Sequence, residues 1–348
     1  MKKTILILAI LTLSKSIIAC TAFFINTTTQ KVFGRNYDWM IGTGQLIENK
    51  RGLIKKSMVK TGESSISWTS KFGSITFNQF GKEFPLGGMN EKGLVVEVLW
   101  LEEAKYPTKD SRKSINELQW IQYQLDNYTS VSEVINSDKF LRINSEQGNL
   151  HYMIADKSGN SATIEFIDNQ TIITQGDNLK YKVLTNNTIN DSKKYLDGHS
   201  GFGGTLSLNR KIDSKDRYVR TCKKMKDYRG GDALEYAFSA LKDVTYSATV
   251  WSIVYDISNM KVYFITENNQ KRRSFSFNNF DFKCSSPVKT IDINTTDSGN
   301  LNNKFMNYSY KKNEVFIETA FEEIEFLADV PRAFIDRLII YPQSVSCK

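Results

Sequence analysis

The stretch Cys20-Thr-Ala-Phe-Phe-Ile-Asn26, then Thr27-Thr-Thr-Gln30, then Lys31-Val-Phe-Gly-Arg-Asn-Tyr-Asp-Trp39, predicts a β-hairpin that begins at a cysteine. Two runs of β-forming residues flank a polar turn, which is the pattern of paired antiparallel strands. Upstream, Lys2 and Lys3 give a positive start and Thr4 to Ser14 form an apolar run. Ile17, Ile18 and the small Ala19 then lead to Cys20. That order predicts an export signal over residues 1–19, too short for a membrane span, whose removal makes Cys20 the first residue of the mature chain. A buried N-terminal helix is the structural alternative. A lipobox is the chemical one, with Cys20 lipidated and the protein an anchored envelope lipoprotein with a binding role. Against the lipoprotein stands the immediate entry into a strand at Thr21, which leaves no polar tether.

Losing the signal removes three lysines and no acid, so the formal charge falls from +8 to +5. The basic clusters, Lys223 with Lys224 and Lys226, and Lys271 with Arg272 and Arg273, are short. They suit a solvated face rather than a nucleic-acid groove, so no nucleic-acid partner is expected. No other stretch is long and apolar enough for a membrane span. The chain has four cysteines and two histidines, His151 and His199. No pair of cysteines has metal or redox spacing, and neither histidine sits in a ligand pattern, so no metal is expected. Three cysteines remain once Cys20 is set aside. Cys284 with Cys347 is one candidate bridge that spacing alone does not decide.

Further strands are predicted at Ser74 to Phe80, Leu94 to Leu101, Tyr152 to Ala155, Ala162 to Ile167, Thr171 to Thr174, Tyr181 to Leu184, Thr249 to Asp256 and Lys261 to Thr266. Ser114-Ile-Asn-Glu117 and Ser130-Val-Ser-Glu133 read as capping boxes that open two helices. Arg217 to Asp227 and Ala233 to Leu241 predict two more. Trp120 and Tyr123 are expected in the core. Residues 285–303, rich in Ser, Thr, Asn and Asp, are expected as a surface loop, and Phe316 to Ile340 as a segment packed back on the body. Strands and helices occur in groups rather than in strict alternation, which favours an α+β fold without a visible domain boundary.

A cysteine nucleophile normally borrows a histidine as base, and histidines are scarce here. A free α-amine on Cys20, with a pKa near ~8, can take the thiol proton instead. Read from Cys20, the chain resembles the choloylglycine hydrolase family, which holds bile salt hydrolases and penicillin V acylases. The resemblance rests on Cys20-Thr-Ala-Phe23 and Gly34-Arg-Asn-Tyr-Asp-Trp39, then Gly88-Met-Asn-Glu-Lys-Gly-Leu94 and Val183-Leu-Thr-Asn-Asn187. It continues through Arg217-Tyr-Val-Arg220, Trp251-Ser-Ile-Val-Tyr-Asp256 and Lys261-Val-Tyr-Phe264, in the family's order.

The resemblance implies a four-layer αββα sandwich of the N-terminal-nucleophile (Ntn) hydrolase type, in one domain over residues 20–348. It implies Cys20 as nucleophile, Arg35 as the charge that favours its thiolate, and Asp38 as the carboxylate that orients the α-amine. Asn186 and the backbone N–H of Trp100 match the oxyanion donors, and Arg217 the second active-site arginine. No cofactor is called for, the partner is a small N-acyl amide, and family members are often homotetramers. Bile salt hydrolases carry asparagine where Trp100 stands. Trp39 and Trp100 resemble instead the Gram-negative branch, which tends toward phenoxyacetyl or fatty-acyl amides, including acyl-homoserine lactones. Conjugated bile acids are the alternative substrate, and a catalytically dead binding protein is a further one. The family's Gly-Asp stretch before Arg217 is replaced here by Ser207-Leu-Asn-Arg-Lys-Ile-Asp-Ser214, at the side where the leaving amine is recognised.

Overall fold

The computed structural model describes residues 20–144 and 148–348; the export signal expected over residues 1–19 lies outside them. The predicted hairpin forms as strands Thr21–Asn26 and Lys31–Asp38, in a register that sets Ala22 opposite Arg35 and Phe23 opposite Gly34. A Cβ at Gly34 would stand 2.4 Å from the Phe23 ring, so glycine there lets that ring lie across the neighbouring strand.

Among the described residues, the hairpin sits in a seven-stranded sheet. Its order is Val183–Leu184, Thr21–Asn26, Lys31–Asp38, Thr249–Asp256, Lys261–Thr266, Asn269–Ser276 and Gly299–Asn300. A nine-stranded sheet faces it, running Gln170–Gln175, Ser161–Ile167, Leu150–Ala155, Val95–Trp100, Gly87–Asn90, Ser74–Asn78, Gln45–Asn49, Lys289–Asp292 and Met306–Asn307. Between them Phe77 of the second sheet meets Trp251, Tyr255 and Phe264 of the first, at ring separations of 6.4, 6.0 and 5.9 Å. Helices Ser214–Asp227 and Ala233–Asp243 cover the outer face of the first sheet, and helix Glu117–Asn127 covers the second. Strand Thr249–Asp256 is buried along its whole length because both its faces are covered. This is the expected α+β, four-layer αββα arrangement.

Local chemistry explains where sequence patterns succeed and fail. Ser130 and Glu133 form the predicted capping box reciprocally. Ser114 does not cap: it lies in strand Lys113–Ile115, and Asn116 takes the role by accepting from the N–H groups of Leu118 and Gln119. Asn is as good an N-cap as Ser and stands directly before the first helical residue. Trp120 and Tyr123 are buried as expected. Residues 285–303 are not one loop, since Lys289–Asp292 pairs with Gln45–Asn49 inside the second sheet. The end of the chain folds back as helices Tyr310–Glu323 and Arg332–Ile340. Cys284 and Cys347 form a disulfide that closes this segment onto the body.

Candidate active site

Cys20 stands just before the first strand, 2% exposed, with its Sγ 3.9 Å from the Asp38 carbonyl oxygen. Strand pairing brings Arg35 and Asp38 to its side from the second arm of the hairpin. Arg35 is buried and crosses to the second sheet. There Nη2 donates to the Val98 carbonyl at 2.8 Å and Nη1 pairs with Glu97 at 2.5 Å. Its ion-pair partner is therefore Glu97 rather than Asp38. Burial pushes the Cys20 thiol up, and the charge of Arg35 is the largest effect opposing it without cancelling it. The expected support of the thiolate by Arg35 thus acts in the right sense but does not win, because burial is the larger effect. A preformed thiolate is disfavoured, and the thiol needs a base.

Asp38 is fully buried, and burial lifts its carboxyl to about 7, against Arg217, the Thr249 hydroxyl and Arg35. Thr249 Oγ1 donates to Oδ1 at 2.5 Å. The other oxygen, Oδ2, is buried with no hydrogen-bond donor among the described residues, and the nearest guanidinium nitrogen of Arg217 is 3.8 Å away. A buried carboxylate oxygen left open is costly unless something charged arrives to use it.

Arg217, from helix Ser214–Asp227, joins the remaining parts. Its Nη1 donates to the Cys20 carbonyl at 2.7 Å and also to Thr21 Oγ1. Its Nη2 donates to Asn186 Oδ1 at 3.2 Å, and its Nε to the Ile212 carbonyl at 3.0 Å. An amide whose oxygen is held by an arginine must present its NH2 on the other side. Asn186 Nδ2 donates to the Trp100 carbonyl at 2.9 Å, so Asn186 and the end of strand Val95–Trp100 share one corner. One Nδ2 hydrogen makes that bond, which leaves the second for a ligand.

Cys20, Arg35, Asp38, Asn186, Arg217, Trp39 and Trp100 are therefore gathered at one place from positions spread over nearly 200 residues. Sequence reading missed the groups that hold them. Ser214 Oγ accepts from the Asn186 backbone N–H at 2.8 Å, so the divergent Ser207–Ser214 stretch supports the site directly. Thr249 holds Asp38, and Glu97 is held in turn by the Tyr255 hydroxyl. The signal for Glu97 was present: a lone acid inside Val95-Val-Glu-Val-Leu-Trp100, a run that is otherwise apolar.

A largely apolar cavity opens from Cys20, as small-molecule sites typically do. Trp39 and Trp100 stand at it with ring centroids 6.3 Å apart, and Phe84, Leu86, Val98, Leu118 and Leu150 continue the apolar lining. Among the described residues no group of three or more His, Cys, Asp or Glu could hold a metal.

Residues 20–290 match the family described as linear amide C–N hydrolases, choloylglycine hydrolase family. Penicillin V acylase of Pectobacterium atrosepticum is 32% identical over 237 residues. The match covers 61% of this chain and 61% of that protein, so the chain spans less than two thirds of that relative's length. The structure of penicillin V acylase from Agrobacterium tumefaciens superimposes with a TM-score of 0.73 at 26% identity, covering 83% of this chain and 98% of that one. Conjugated bile acid hydrolase from Clostridium perfringens has a TM-score of 0.66 at 19% identity, over 81% and 98%, a likeness of fold.

Proposed function

The chain belongs to the choloylglycine hydrolase family of linear amide C–N hydrolases, and from this we propose that it is an exported amidase whose nucleophile is an N-terminal Cys20. It converts N-acyl compounds of the penicillin V or acyl-homoserine lactone type to a carboxylic acid and an amine, in the periplasm or after secretion. The observation that carries the reading is Arg217, a single side chain that touches Cys20 and Asn186 and lies beside the open oxygen of Asp38.

Once the peptide bond before Cys20 is cut, the α-amine takes the thiol proton and the sulfur attacks the amide carbon. Asp38 Oδ2 supplies the buried acceptor that an α-ammonium needs. The carbonyl oxygen becomes an oxyanion, which Asn186 Nδ2 and the Trp100 backbone N–H stabilise. The α-ammonium gives its proton to the departing nitrogen, the C–N bond breaks, and a thioester to Cys20 remains. The freed α-amine then deprotonates water, whose oxygen attacks the thioester and releases the acid. The sulfur leaves as thiolate and recovers its proton from the ammonium, so the cycle closes without a cofactor.

Trp39 and Trp100 support the acyl preference, since two indoles offer faces to a flat or aliphatic group and take the space a sterol would need. Protein that begins at Cys20 should hydrolyse penicillin V and an acyl-homoserine lactone faster than glycocholate, and Cys20→Ala should hydrolyse none. Failure on all three overturns the amidase reading. Glycocholate as the fastest substrate replaces the acyl preference with conjugated bile acids.

A further inference from the structure

The family match ends at residue 290, but the wall of the cavity does not. Phe321, Phe326, Leu327, Phe334 and Leu338 also line it, all from the helical segment that follows. This segment is seated on the body by specific contacts. Phe321 packs on Phe80 with ring centroids 5.8 Å apart, and Tyr341 on Phe84 at 5.4 Å. Asn313 Oδ1 accepts from the Lys82 N–H at 2.8 Å, and Tyr341 donates to the Lys56 carbonyl at 2.7 Å. Gly81, at φ +87°, leaves room for Ile317, whose Cδ1 would stand 2.4 Å from a Cβ there. The Cys284–Cys347 disulfide fastens the far end.

We propose that this C-terminal segment is the specificity element of the acyl pocket, and that it selects amides whose acyl group is a flexible aliphatic chain. The inference rests on the amidase reading of Cys20. Phe326 is the residue that gives the segment this role. Its ring lies 5.9 Å from Trp39 and 5.8 Å from Trp100, so three aromatic rings crowd the cavity near the nucleophile. The three rings touch one another and form one continuous aromatic wall; a flexible row of methylenes lies along such a wall, whereas a rigid fused ring system demands more width. Beyond them, Leu327, Phe334 and Leu338 face Phe84, Leu86, Leu118 and Leu150 across the same cavity. Asn116, a polar lining residue, has its side-chain oxygen committed to the helix N-terminus. Each added methylene therefore gains apolar contact on both sides.

The test uses protein that begins at Cys20 and homoserine lactones carrying butanoyl, hexanoyl and decanoyl groups. In the wild type kcat/KM rises with chain length. Phe326→Ala, at a half-exposed position that the fold tolerates, lowers the decanoyl-to-butanoyl ratio of kcat/KM roughly tenfold, in line with the discrimination apolar contacts provide. Val315→Ala, exposed on the same segment and outside the cavity, leaves the ratio where it was. Binding of decanoic acid to Cys20→Ala, followed by tryptophan fluorescence, supplies an arm free of turnover, and Phe326→Ala weakens it roughly tenfold. An unchanged ratio and unchanged binding overturn the proposal even if the enzyme is active. Lost binding in Phe326→Ala together with no turnover by the wild type leaves the wall in place and overturns the amidase reading instead.

Discussion

Arg217 Nη2 holds Asn186 Oδ1 at 3.2 Å, and this bond decides which end of the Asn186 amide faces the Trp100 corner. The consequence is a pair of contrasting substitutions. Asn186→Ala loses on the order of a hundredfold in kcat, as removal of an oxyanion donor typically does. Asn186→Asp keeps the shape and gains a charged partner for Arg217, yet offers no donor and sets a negative charge where the oxyanion forms. It should lose at least as much activity as the alanine variant, with a Tm within a few degrees of the wild type. Steady-state rates and thermal melts on the three proteins check this.

Asp38 makes a pH prediction whose sign follows from its lifted carboxyl. Its folded value of about 7 lies above its ordinary 3.8, so the folded state binds the proton more tightly. Stability from this group is present below about pH 4 and is lost as pH rises toward 7. Glu97, also lifted to about 7 by burial, contributes in the same sense. Asp38→Asn removes only the first contribution. In protein that retains residues before Cys20, its stability relative to wild type should therefore grow between pH 4 and pH 7. In protein that begins at Cys20, the α-ammonium should occupy the open Oδ2, and the gain should shrink. Urea unfolding at both pH values gives the four numbers required.

Trp100 tests the acyl preference. Trp100→Ala should weaken phenoxyacetyl and aliphatic amides while improving glycocholate relative to them, since an indole beside Cys20 takes volume a sterol needs. The shift should be about 1–3 kcal/mol in relative kcat/KM, the usual reach of a pocket contact.

The site was legible in the sequence where one local pattern carried it. The hairpin announced itself as two runs of β-forming residues around a polar turn, and its strands are Thr21–Asn26 and Lys31–Asp38. Cys20, Arg35 and Asp38 ride on that hairpin, so their closeness follows from it. Asn186 and Arg217 were reachable only through resemblance, because what unites them is a hydrogen bond across 31 residues. Gly87–Asn90 lacks β-branched residues and is a strand because its neighbours pair with it on both sides. Lys289–Asp292 holds the β-branched Thr290 and Ile291, but a polar setting hid a strand that pairs with Gln45–Asn49 and Met306–Asn307. Cap choice at Asn116 turned on which of two good capping residues stood at the right step. The Cys284–Cys347 pairing needed the fold, since a separation of 63 residues says nothing about proximity.

The central claim is that the base is the α-amine of Cys20. It is tested most directly by comparing two purified proteins that differ by one residue, one beginning at Cys20 and one at Ala19, each verified by intact mass. Both should fold alike, since the cysteine, Asp38 and Arg217 are unchanged. The first should hydrolyse its amide substrate, and the second should be inactive because its Cys20 nitrogen is a peptide amide without basicity. Equal turnover by the two would contradict the account, as would a lipid adduct on Cys20 in exported protein, because an acylated amine cannot take the thiol proton.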